Sequence, residues 1–201
     1  MNRSTRLGFV LIVLFGLLAA YALVSRTIQK AEMPTPESPK DGLHLYQGDD
    51  FSIRFPEAYS ADTTYASQTH GPRLDRGGVR LTIPESMAAG TNLSRDSYIS
   101  VEEVSGTPCS ATLFFTEAVI PNTITDGNTR YSVATLSGAG AGNRYEETVY
   151  ALQDTNPCIG VRYFIHSTTV ENYPEGTVTE FDKQALMNQF DLIRKSLIVH
   201  Q

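Results

Sequence analysis

The side chains that could do chemistry in this 201-residue chain are few and scattered. The histidines are His44, His70, His166 and His200, and the only cysteines are Cys109 and Cys158. Nucleophilic or acid–base catalysis needs a nucleophile and a base within hydrogen-bond reach, each held by neighbours. No GxSxG elbow, HExxH helix or SxxK pattern supplies such a pair. Gly138, Gly140 and Gly142 could cradle a phosphate only if a helix began directly after them. The residues that follow, Arg144-Tyr145-Glu146-Glu147-Thr148-Val149, read as a strand, so the glycines predict a hairpin loop. The Glu102-Glu103 and Glu146-Glu147 doublets point to opposite faces of their strands and are not paired carboxylates.

Two constellations remain. His166 shares the outward face of its strand with Arg162 and Phe164. A cross-strand neighbour drawn from Arg144, Glu146 or Glu147 would complete a small polar surface site of Arg162, His166, Arg144 and Glu146 on an otherwise solvated sheet face. In the second, His70 with Asp62 or Asp75 would assemble a hydrolase or transferase site from loop residues. Neither set has the spacing of a metal or cofactor site, and none is expected. The cysteines predict a disulfide if the domain is exported and two free thiols if it faces the cytosol. A bridge would close a loop of about 50 residues, worth roughly 4 kcal/mol on a chain-entropy estimate. It would tie the loop before Leu113-Phe114-Phe115 to the start of the most buried strand.

These residues are positioned by short alternating runs. Residues 43–47 and 51–55, around Gly48-Asp49-Asp50, predict an opening hairpin with Phe51, Ile53 and Phe55 on one face and Pro56 as its stop. A long polar loop is expected over 57–77, then strands over 79–83 and 98–104, with a loop or one helical turn between them. Residues 123–125 and 129–136 flank an Asp126-Gly127 turn. Strands over 144–152 and 159–167 follow, and Ile159, Val161, Tyr163 and Ile165 form the clearest buried face. Consecutive strands with short turns predict an antiparallel meander. Phe181, Ala185, Leu186, Phe190, Ile193 and Leu197 mark the apolar stripe of a helix. Thr179 with Asp182 resembles its capping box, Arg194 and Lys195 complement its dipole, and 197–199 would add an edge strand. The class is α+β, an antiparallel sheet with a C-terminal helix on one face.

Ahead of this domain, residues 7–24 form an uncharged apolar run, preceded by Arg3 and Arg6. As a helix the run would extend roughly 27 Å, close to a bilayer core. The one small-x-small site, Ala20-Tyr21-Ala22, lies inside the run, which fits a retained signal anchor better than a cleaved signal. Residues 1–6 would then be cytoplasmic. Pro34, Pro36 and Pro39 make 25–42 an extended tether with a reach of about 50 Å. Residues 1–40 carry five basic against two acidic side chains, whereas residues 41–201 carry 20 acidic against 11 basic. That balance argues against nucleic acid and against anionic headgroups as partners of the domain.

Residues 51–56, FSIRFP, after a short first strand, together with 181–199, a helix ending in a strand, resemble the PsbP-like fold. The layout is similar to that of small membrane-anchored bacterial proteins. The resemblance implies a binding or assembly accessory without catalytic residues, and ten tyrosines with no tryptophan hint at surface recognition. The expected function is therefore a membrane-tethered extracytoplasmic binding or accessory domain, single-pass and periplasmic or extracellular. It would act by protein or ligand contact on the sheet face that the helix leaves uncovered, with a protein of the cell envelope as the expected partner. The alternatives are the loop-assembled enzyme around His70 and an envelope spacer.

Overall fold

A computed structural model describes residues 42–66 and 77–200. The chain divides into two units, Met1–Glu37 and Ser38–Gln201, and every described residue belongs to the second. The apolar run 7–24, the tether up to residue 41, His70 and Asp75 lie outside the described residues. No helix among those described is long and apolar enough to cross a membrane.

Alternating apolar residues form the expected first hairpin, β1 (Leu43–Gln47) with β2 (Phe51–Pro56), and Phe51, Ile53 and Phe55 are buried. The larger sheet contains β3 (Ser60–Asp62), β4 (Gly78–Thr82), β5 (Tyr98–Val104), β6 (Asn122–Asp126), β7 (Thr129–Gly140), β8 (Asn143–Leu152) and β9 (Cys158–Thr168). Its order is β3-β4-β5-β9-β8-β7-β6, with every neighbouring pair antiparallel. A short helix α1 (Glu85–Ala88) interrupts the connection to β5, and α2 (Lys183–Lys195) follows the meander. The chain ends with β10 (Ile198–Val199) on β2, completing a three-stranded sheet β1-β2-β10. The fold is thus antiparallel β-sheet with a C-terminal helix.

The core lies between the two sheets and α2. Leu186, Phe190 and Ile193 from the helix meet Phe51, Ile53, Leu81, Ile99, Val101, Val161 and Tyr163. Entry to α2 is fixed by the buried Asn92, whose Nδ2 donates to the Thr168 carbonyl and whose Oδ1 accepts from Phe181 N. A second cluster fills part of the opposite face of the seven-stranded sheet. There Val104, Ala134, Val149 and Ala151 are covered by Ala111, Phe114 and Phe115 from the loop after β5. Cys109 and Cys158 form a disulfide that holds this loop at the start of β9.

Three expectations are corrected. Residues 137–140 do not break the chain but continue β7, paired with β8, and the turn is Ala141-Gly142 with φ of +50° and +79°. Two consecutive positive φ angles make the tight turn that matches strand twist. Thr179 does not cap α2, because its backbone is bonded to Gly90 and Asn92 and is extended there. Asp182 caps instead, accepting from Ala185 N at 2.9 Å. The polar stretch after β2 contains β3, a three-residue strand paired with β4 that has no apolar alternation to announce it.

Candidate functional site

The face opposite α2 presents Arg162, Phe164 and His166 of the central strand β9. This face is not solvated at Arg162, which is 1% exposed. Strand order places β5 on one side of β9 and β8 on the other, so one glutamate from each doublet points at it. Glu102 receives Arg162 Nε at 2.8 Å and Nη2 at 3.0 Å in a bidentate fork, and Glu147 receives Nη1. Nη2 also donates to the Phe114 carbonyl at 2.7 Å, and Ser100 Oγ donates to Glu102 at 2.7 Å. Burial alone would lower the Arg162 pKa. The Glu102 carboxylate, then its hydrogen bonds and Glu147, outweigh that effect, and the net shift is upward. The guanidinium is therefore a fixed charge that latches the disulfide-bound loop to the sheet, with its fork already filled.

Arg144 and Glu146 do not join this group. Register pairs Arg144 with Ser167 and Glu146 with Ile165, which places both on the α2 side of the sheet. Glu146 there bonds Lys183 of the helix. The doublets thus divide between the faces, as alternation requires, and the two carboxylates that converge come from different doublets.

Beyond the loop, the same face is open and carries a row of rings. Tyr65 meets Tyr98 edge-on at 6.1 Å, and Tyr98 stacks on Phe164 at 4.8 Å and 20°. Tyr145 lies 6.2 Å from Phe164 and stacks on His166 at 4.5 Å and 23°. Arg80, paired with Asp62 at 3.3 Å, sits over Tyr65 and Tyr98. Two of these contacts are stacked, Tyr98 on Phe164 and Tyr145 on His166, and the others are tilted or edge-on. Burial, followed by the Tyr65 hydroxyl, raises the Tyr98 pKa well above the usual phenol value. Tyr145 is 37% exposed at the far end.

His166 is locked at this end. Its Nδ1 bonds Asp96 at 2.8 Å and its Nε2 bonds Asn143 Oδ1 at 2.9 Å, while Asn143 Nδ2 faces the Gly140 and Ala141 carbonyls. With both ring nitrogens engaged, the imidazole has no lone pair directed at a substrate and is a clip between the 92–97 turn and the β7–β8 tip. Asp62 is likewise occupied. Hydrogen bonds from the Thr64 side chain and backbone, with the nearby Arg80 charge adding to them, hold its carboxyl below the usual range. His44 packs beside Phe55, and His200 bonds the Asp49 carbonyl and Ser52. Among the described residues no three of His, Cys, Asp and Glu converge as metal ligands would.

The signal for the buried arginine was present in Gly160. A Cβ there would come within 2.5 Å of the Phe114 ring, so the strand needs glycine to admit the covering loop. The loop itself has no periodicity that predicts where it lies.

No family model matches the sequence, and no curated protein matches it. A crystal structure of a protein from Bacteroides thetaiotaomicron VPI-5482 is similar with a TM-score of 0.44 and 8% identity, over 80% of this chain and 48% of that one. The chain spans about half the length of that neighbour.

Proposed function

We propose that residues 42–200 are a binding module of the cell envelope, tethered through a membrane-spanning 7–24 segment and working by protein contact. The disulfide supports an oxidising compartment. The observation that carries the reading is the ring row of Tyr98, Phe164 and Tyr145 on the open half of the sheet face. Tyrosines held by stacking and by the cation of Arg80 offer contact area that is already ordered, so little entropy is lost on binding. The engaged nitrogens of His166 weigh against acid–base chemistry at the same place. The PsbP-like resemblance points the same way, towards an accessory without catalytic residues.

Photo-crosslinking of the full chain in its own host tests this. A photoreactive phenylalanine at position 145 is expected to give one adduct of defined mass, and the same probe at the exposed Leu192 of α2 is expected to give none. The partner recovered from the adduct should bind the purified full chain, and Phe164→Ala should weaken that binding. Equal capture from both positions, or none from 145, rejects the reading.

A further inference from the structure

The seven-stranded sheet ends in two edges of different character. β3 is three residues long and carries Asp62, the kind of short, charged edge that resists further pairing. β6 is five residues, Asn122-Thr123-Ile124-Thr125-Asp126, without a lysine or arginine, and its single carboxylate is turned to Arg194 and Lys195. Among the described residues nothing pairs with its outer side. The hairpin loop is Gly127-Asn128, between the partners Asp126 and Thr129. A two-residue loop closes on a hydrogen-bonded pair, and bonded and non-bonded pairs alternate from there. Ile124 therefore directs its backbone groups to Tyr131, whereas Thr123 and Thr125 direct theirs outward.

From this geometry we infer that β6 pairs antiparallel with β6 of a second copy of this chain, about a two-fold axis through Ile124. An isologous contact needs a surface complementary to itself, and the strand is nearly a palindrome. The operation sets Thr123 against Thr125 of the second copy, Ile124 against Ile124, and Asn122 against Asp126, with no like charges opposed. The Thr123–Thr125 pairs become the hydrogen-bonded ones, as their outward groups require, and the Ile124 pair falls in the close non-bonded position. Ile120, 89% exposed, is carried towards the second copy's Gly127-Asn128 loop. The five-residue edge β1 is the competitor. Centred on Leu45, the same operation sets Leu43 against Gln47, an apolar side chain against an amide. This contact is separate from the ring row, so its failure leaves the binding reading untouched.

Sedimentation velocity of the full chain in mild detergent is expected to show a concentration-dependent dimer. Thr125→Pro removes an outward N–H from each copy and leaves the ladder to β7 intact. Two lost hydrogen bonds should weaken dimerisation by about thirtyfold. The register is read separately by cysteines. Ile124→Cys should crosslink to itself under copper phenanthroline, since close antiparallel pairs meet disulfide geometry. Asn122→Cys should not, because the two positions lie roughly 13 Å apart along the ladder. A monomer at all concentrations with no Ile124→Cys crosslink overturns the proposal. So does a dimer that Thr125→Pro leaves unchanged, or one that crosslinks equally through Asn122→Cys.

Discussion

Two buried arginines anchor the two faces of the sheet, and they are held differently. Arg162, opposite the helix, is enclosed by Glu102, Glu147 and the Phe114 carbonyl. Arg194, on α2, is 3% exposed but reaches outward. Its Nε donates to the Tyr163 hydroxyl at 2.9 Å and its Nη2 to Asp126 at 2.8 Å and Asp191 at 3.2 Å, with the guanidinium over the rings of Tyr131 and Tyr150. Burial would lower its pKa, and Tyr163 and Asp126 together reverse this. The first arginine is a sealed charge pair that fixes a covering loop. The second is a half-open one that fixes the helix end to the β6–β7 hairpin, and its carboxylates keep contact with water. A sealed pair adds little net stability yet is costly to break, because the survivor is left charged and dry. An open pair is cheaper to break, since water can replace the missing partner.

Breaking the sealed pair gives the largest expected effect. Glu102→Gln should destabilise the domain by about 3–5 kcal/mol in denaturant melts. Reducing the disulfide releases the same loop and should lose up to about 4 kcal/mol, with exchange protection falling first in residues 105–115. Arg194→Met keeps the apolar stem among the rings and leaves carboxylates that water can reach. Its loss should be about 1–2 kcal/mol, and the difference from wild type should shrink in 1 M salt, whereas that of Glu102→Gln should not.

The gentlest probe is acid. Hydrogen bonding from Arg194 lowers the Asp126 pKa below its usual 3.8. A carboxyl with a depressed folded pKa contributes stability above its unfolded pKa and loses it as pH falls through the folded value. Asp126→Asn should therefore match wild type more closely below pH 3.8 than at neutral pH, by thermal melts across the range.

The contrast also marks what the sequence could express. Alternation at Phe51, Ile53 and Phe55 and the stripe Leu186, Phe190 and Ile193 predicted their elements, because burial on a single face writes a period into the chain. β9 is covered on both faces, so Arg162 sits in a pattern that reads as half-solvated. Residues 137–140 are small and carry no period, and pairing with β8 overrides their weak strand propensity. The polar site proposed from Arg162, His166, Arg144 and Glu146 mixed the two faces. Locating Glu102 and Glu147 around Arg162 requires the order β5-β9-β8, which no local pattern contains. Asp96 lies in a turn and Asn143 opens β8, and no local pattern sets either of them beside His166.

The most direct measurement of the central claim, that the open end of the sheet face is where this module binds, is native electrophoresis of the full chain solubilised from host membranes. Wild type and Leu192→Ser should migrate in the same high-mass complex, and Tyr145→Ala should release the chain from it while keeping its disulfide and its thermal transition. A complex that survives Tyr145→Ala and is lost with Leu192→Ser would place the working surface on the helix and contradict the account.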